Sequence, residues 1–245
     1  MGTAIVVTSG KGGTGKTAFT CGVGAALARL GRRTLCLDMD VGLRNLDLAL
    51  GMTDRCLMDF TDVIFGRAPL ERAAVPHPAV ENLYLLTAPL YWDEEPVLPE
   101  HMETLMDQIR ETFDYCLIDC PAGIGSGFHL SACAADRAVV VVNTDEASVR
   151  DAQQVREELY RWDLPPQLVV NRLSRWMLRR QGISVDDIMD AAGLRLLGIV
   201  PEDRRVALSA TQGTLAQLPA KLSPAKAWKN IAHRLEGERT PILWR

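Results

Sequence analysis

No apolar run in this sequence reaches the length that spans a membrane; the longest, Ala138 to Val142 with its neighbours, is strand-sized. A charged leader and a small-residue cleavage site are also absent, since Met1 leads directly into Ala4-Ile5-Val6-Val7. That argues against secretion and for a cytoplasmic protein. The six cysteines, Cys21, Cys36, Cys56, Cys116, Cys120 and Cys133, are scattered, and four lie inside apolar segments as reduced core thiols do. Cys116 and Cys120 have three residues between them, yet neither a second pair nor a nearby histidine completes a metal-binding set. Positive charge is not in excess. The formal net charge of −4 argues against a surface coated in basic groups for nucleic acid and leaves only a local patch open. Repeats and low-complexity segments are missing too.

What remains is an ordinary globular balance, 47% apolar and 24% charged over 245 residues, enough for one large domain. Short, nearly continuous apolar runs predict strands over Ala4–Thr8, Thr34–Asp38, Leu83–Leu86, Tyr115–Asp119, Ala138–Asn143, Gln167–Asn171 and Leu196–Val200. Helical stretches fall between and after them, over Lys16–Leu30, Pro99–Thr112, Ser148–Tyr160, Val185–Ala192 and Pro224–Leu235. Ser223 is expected to cap the last of these, with Pro224 at its first helical position. The alternation predicts an α/β fold, a doubly wound and mostly parallel sheet with helices on both faces. The stretch from Ala88 to Pro99 holds three prolines and the acids Asp93, Glu94 and Glu95. It is too short to separate two domains and reads as a surface loop. A single domain is expected over 1–245, with its core at 3–237 and a tail at 238–245.

Gly10-Lys11-Gly12-Gly13-Thr14-Gly15-Lys16-Thr17 fits the pattern of a phosphate-binding loop, with a strand leading in and a helix leading out. Phosphates need backbone N–H groups turned inward, and the glycines permit those backbone angles. The following helix adds its positive end. Lys16 is placed to reach the β- and γ-phosphates, and the Thr17 hydroxyl to ligate Mg2+. Asp119 closes the run Tyr115-Cys116-Leu117-Ile118, where a buried acid commonly supports the metal; a carboxylate that merely ends a strand is the plain alternative. Asp38 and Asp40 end the second strand with two carboxylates two positions apart, on one face and at the ligand-binding edge if the strand continues, or else are solvated loop acids.

A lysine directly after the first glycine is not required by the plain loop. With Lys11, the octet resembles the deviant Walker A ATPases of the MinD/ParA group, whose loop reads G-K-G-G-x-G-K-T. The resemblance covers Ile5 to about Glu238. It implies ATP hydrolysed to ADP with Mg2+ as cofactor, in a homodimer that forms with ATP. Lys11 would cross to the partner's nucleotide, with a solvated loop lysine as the plain alternative. Lys11, Lys16 and Asp40 are then the catalytic residues, with Asp40 orienting the attacking water. The loop residues Gly10 to Thr17, Ala18 behind them, and Gly123 in Pro121-Ala122-Gly123-Ile124 would contact nucleotide. Asn171 with Arg172, and Pro201 with Glu202, would frame the adenine. Thr17, Asp38 and Asp119 form the expected metal shell.

Asp40-Val41-Gly42-Leu43-Arg44-Asn45-Leu46-Asp47-Leu48 resembles the MinD branch more than the ParA branch, as do Ala147 to Asp151 and Val200 to Asp203. The MinD branch implies division-site placement with regulators of the MinC and MinE kind, facing Arg150 and Asp151 on the first turn of a helix. ParA-type partitioning or a flagellar-placement relative is the alternative; partitioning needs basic surface that the net charge does not offer. An iron–sulfur reductase shares the loop but needs cysteines at the dimer axis, and Cys120 and Cys133 lack the expected spacing. A binding module without hydrolysis fits poorly with Lys16, Thr17, Asp40 and Asp119 all present.

Two departures qualify the resemblance. Ala18 stands where the group has a second threonine, at a cost of about 1 kcal/mol for one lost hydrogen bond to phosphate. The residues after Pro241, namely Ile242, Leu243, Trp244 and Arg245, do not supply a basic amphipathic helix, so membrane contact is expected to be weak or indirect.

Overall fold

Strands made of unbroken Val, Ile and Leu must be covered on both faces, and β1 (Thr3–Thr8) shows how this is met. Ile5 and Val7 point into one core, while Ala4 and Val6 point to the opposite side. The computed structural model describes residues 1–92 and 94–242, without the side chains of Arg175, Met177 and Gln181. Asp93 of the acidic loop, and Leu243, Trp244 and Arg245 of the tail, therefore lie outside the described residues.

After β1 come α1 (Lys16–Arg29), β2 (Thr34–Asp38), α2 (Asn45–Leu50), α3 (Phe60–Ile64) and α4 (Leu70–Ala73). The chain continues through β3 (Val75–Pro76), β4 (Leu83–Leu86), α5 (Pro99–Thr112), β5 (Tyr115–Asp119), α6 (Ser126–Ala132) and β6 (Arg137–Val142). The last third holds α7 (Glu146–Arg161), β7 (Pro166–Leu173), α8 (Arg175–Gln181), α9 (Val185–Ala192) and β8 (Arg195–Pro201). It closes with α10 (Arg204–Thr211), a 3-10 turn at Leu215–Gln217, and α11 (Ser223–Leu235).

The strands form one sheet in the order β3-β4-β2-β5-β1-β6-β7-β8. All neighbours run parallel except β3, which pairs antiparallel with β4 through two residues at the edge. Helices α1 and α11 cover one face, where Phe19, Leu27, Trp228 and Ile231 are buried. Helix α5 covers the β2/β5 side of the other face through Met102, Leu105 and Ile109. Beside it, α7 and α9 cover β6 and β7. The expected doubly wound fold is present. Val7 of β1 and Asp38 of β2 both stand in register with Asp119 of β5, so one sheet edge gathers the loop and both acids.

Local boundaries differ where side-chain chemistry redirects the chain. Ser223 does not cap α11: Leu222 occupies that position and makes no side-chain cap, so Ser223 and Pro224 already lie in the first turn. Helix α7 opens at Glu146 rather than Ser148, because Asp145 accepts the Ser148 N–H at 2.9 Å and starts the helix earlier. Strand β7 runs on past Asn171 to Leu173, through an irregularity after Val170 at which Arg172 takes φ 52°. The tail turns at Gly237 and runs back along α11, held by Arg234 and Asn230 donating to the Thr240 and Pro241 carbonyls. Ile242 is half-buried against the core cluster on the β6/β7 side of the sheet.

Candidate nucleotide site

The loop between β1 and α1 ends in Gly15 at φ 93°, a backbone angle open to glycine, and no side chain caps the helix behind it. Its first turn carries no acid. The N–H groups at that end therefore remain for a ligand, and the helix dipole favours an anion. A side chain at Gly12 or Gly13 would meet nothing, since both face open space. The Lys16 ammonium donates to the Ser9 hydroxyl at 3.1 Å, and Ser9 in turn donates to the Lys11 carbonyl at 2.7 Å.

Thr17 and the two strand-end acids form the second layer. The Thr17 hydroxyl donates to Asp119 at 2.6 Å, with Thr20 at 3.4 Å from its other oxygen. Burial raises the Asp119 pKa, the Asp40 charge adds to this, and the Thr17 bond and Lys16 oppose it. Asp38 is also raised by burial and then by the charge on Asp119. Its two oxygens accept the backbone N–H groups of Asp40 at 2.9 Å and Leu46 at 3.1 Å. Asp38 thus holds the chain that carries Asp40, and Asp40 itself lies in the loop beyond β2 rather than on the same strand face. Two buried acids beside one hydroxyl create a deficit of positive charge that a divalent ion would relieve. Among the described residues no cluster of three ligating side chains is present. That donor set suits an ion which draws its remaining ligands from phosphate and water, as Mg2+ does.

Together these residues open onto a cleft of about 850 Å³. Gly12, Gly13, Gly15, Lys16, Thr17 and Ala18 form its floor, with Asp40, Asp119 and Arg172 at the sides. The far wall comes from Leu43, Asn45, Leu48 and Ala49 of the α2 region and from Ala210 and Thr211 of α10. Sequence reasoning missed this wall. The α2 stretch carried a branch signature but no chemistry-bearing side chain directed at phosphate, and α10 is only two turns long, with Val206 and Ala210 half-buried as its whole apolar stripe.

Other predicted residues lie around the cleft instead of in it. Asn171 is buried, and its amide donates to the Thr14 carbonyl at 2.8 Å, bracing the loop from below. Gly123 takes φ 85° and donates its N–H to the Ser9 carbonyl at 3.1 Å. Pro201 ends β8 opposite Leu173, and the Glu202 N–H donates to the Leu173 carbonyl at 3.0 Å. Lys11 pairs within its own chain, donating to Asp145, the residue that caps α7; this pair and the Ser148 N–H hold the Asp145 carboxyl below its usual range against the cost of its burial. Arg150 and Asp151 fall in the second turn of α7, not the first. Asp151 is half-buried against Gly10, where a Cβ would come within 2.3 Å of its own. Arg150 instead lines a groove of about 260 Å³ between α7 and α9.

Residues 5–216 match the model of the CobQ/CobB/MinD/ParA nucleotide binding domain. Over 99% of its length the chain is 42% identical to the septum site-determining protein MinD of Synechocystis, of which the match covers 92%. The chain belongs to this family, on its MinD branch. Among solved structures, the MinC:MinD cell division complex of Aquifex aeolicus superposes with a TM-score of 0.90 at 37% identity, covering 98% of both chains. The septum site-determining MinD of Pyrococcus horikoshii, solved with Mg-ADP, superposes at 0.85 with 28% identity, covering 96% of each. The residues that line the cleft described above all fall within the stretch that matches the nucleotide binding domain.

Proposed function

We propose that this protein is an ATP-dependent dimerising switch of the MinD type, which hydrolyses ATP to ADP and phosphate to control where the cell divides. The observation that carries the reading is the convergence of Lys16, Thr17, Asp119 and Asp40 on one cleft, with Lys11 at its rim, in a chain matched to MinD along nearly its whole length. Lys16 and the α1 N-terminus bind the phosphates. Thr17 and Asp119 hold Mg2+, which when bound neutralises charge developing on the transferring group. Asp40, held by the Asp38 bond to its N–H, orients the attacking water. Arg172 and the wall of α2 and α10 close around the base and sugar. MinC- and MinE-like proteins are the regulators, met through the exposed face of α7 at Arg150.

Sedimentation and phosphate release with ATP, ADP or no nucleotide test this reading. A dimer with ATP, a monomer with ADP and slow phosphate release are expected. Asp40→Ala should bind ATP and remain dimeric for longer, with hydrolysis reduced about 10²-fold or more. A chain that stays monomeric with ATP, or an Asp40 variant with unchanged single-turnover hydrolysis, would refute the assignment.

A further inference from the structure

Two surfaces of opposite charge flank the cleft, each tied to the chain at one residue, Arg172 at the cleft and Trp92 edge-on to Phe60, and each otherwise open. From Arg172 to Val185 the sequence holds four arginines and no acid, in a protein whose net charge is −4. Arg172, Arg179 and Arg180 are exposed on this segment, and Trp176 is 61% exposed with the Arg180 guanidinium 5.1 Å over its ring. Among the described residues, these three arginines have no ion pair. The loop after β4 has the complementary character. Leu90, Tyr91 and Trp92 are exposed there, Tyr91 to 84%, and are followed by the exposed Glu94 and Glu95, again without an ion pair among the described residues.

The sheet order gives these surfaces a symmetric placement. Between β4 and β7 the strands run β4-β2-β5-β1-β6-β7, so the midline falls between β5 and β1, the strands that carry Asp119 and the phosphate loop. Both the acidic loop and α8 follow the carboxyl ends of their strands, on the nucleotide side. With neighbouring strands about 4.8 Å apart, each lies about 12 Å from that midline, too far to meet in one chain. A two-fold axis perpendicular to the sheet, crossing the midline just beyond its nucleotide edge, lays the β7 side of one copy on the β4 side of the other, and does so twice.

We propose that α8 and the loop after β4, at residues 90–92 and 94–95, are the two halves of one homodimer contact, each docking on the other in a second copy of this chain. The proposal deepens the ATP-dependent dimer above and rests on it. Arg179 and Arg180 meet Glu94 and Glu95 of the partner copy, and Trp176 packs against its exposed aromatic residues. None of the four charged residues lines the nucleotide cleft, so affinity for nucleotide should not depend on them.

Sedimentation of the full chain with ATP and Mg2+, using the pairs Arg179→Glu/Arg180→Glu and Glu94→Arg/Glu95→Arg, tests the contact. Each pair alone should weaken dimerisation about tenfold or more through like-charge opposition. All four changes in one chain should restore it, and nucleotide affinity, measured alongside, should match the parent throughout. Parent-like dimerisation of either pair, or no recovery when the charges are exchanged on both sides, would overturn the proposal. Loss of binding to anionic vesicles or to an acidic peptide, with dimerisation unchanged, would assign the basic surface to that ligand and overturn it as well. A parent that stays monomeric with ATP removes the dimer reading, and this contact with it.

Discussion

At the scale of single residues, the two loop lysines differ in what the fold lets them touch. Lys16 lines the cleft floor and donates to the Ser9 hydroxyl, whereas Lys11 is drawn sideways to Asp145. Lys16→Ala should therefore weaken nucleotide binding by roughly a hundredfold, the value of a hydrogen bond to a charged group. Lys11→Ala should leave ATP affinity near that of the parent and abolish dimerisation; titration with a fluorescent nucleotide and sedimentation separate the two. Equal dimerisation of the Lys11 variant and the parent would remove Lys11 from the shared site. Asp38 and Asp119 make a pH prediction of definite sign. Both folded pKa values are raised by burial, so the stability these carboxyls allow is fully present below their ordinary value near 4 and lost as pH rises through the raised values. Without nucleotide or divalent ion, urea unfolding should show stability falling between about pH 4 and pH 8, by at most about 1.4 kcal/mol per pH unit for each carboxyl. Asp119→Asn should flatten that fall; parallel pH profiles for the variant and the parent would show that the acids impose no such strain. The residues in these arguments were legible in the sequence because glycines, lysines and strand-end acids at fixed spacing have few other uses. The actual partners of Lys11, Asn171 and Asp38 were not, because each bond joins segments far apart in the chain or is made to backbone, which has no signature.

At the scale of elements, the sequence resolved the long apolar strands and the helices that cover them and missed the short pieces that wall the cleft. Helices α2 and α10 are six and eight residues long, and their stability comes from contact with each other, of α2 with α1 and of α10 with the 3-10 turn, rather than from their own pattern. The closest part of that contact is glycine on glycine. Gly51 ends α2 at φ 67°, and a Cβ there would stand 2.4 Å from the Gly213 carbonyl oxygen, while Gly213, also at φ 67°, follows the end of α10. Neither backbone can yield without moving its helix. Gly51→Ala combines a left-handed strain with that clash and should cost about 1–3 kcal/mol in urea unfolding. It should also weaken nucleotide binding, because Leu48 and Ala49 on α2 and Ala210 and Thr211 on α10 would separate across the cleft. Parent-like stability and affinity in this variant would mean that the wall tolerates the separation.

At the scale of the whole molecule, the alternation of strands and helices was enough to give the doubly wound sheet, since buried parallel strands leave continuous apolar runs that no turn interrupts. The tail was not legible, because its anchoring is made through backbone carbonyls. Arg234 and Asn230 hold the carbonyls of Thr240 and Pro241, and Ile242 packs on the body, so the apolar residue first in line to enter a bilayer is already in use. No helix among the described residues is long and apolar enough to cross a membrane. Interfacial insertion of Ile242 would have to give up its present packing for a contact worth less than the about 1.5–3 kcal/mol of full burial. Arg239 and Arg245 add roughly 1 kcal/mol each near anionic lipid. An ATP-bound dimer doubles those sites, and the second set binds at the high local concentration set by the first. The 245-residue chain should therefore stay in the supernatant with anionic vesicles and ADP, and sediment only weakly with ATP, more at low salt than at high. Tight co-sedimentation in the absence of ATP would show instead that the tail leaves α11 and inserts without the help of a dimer.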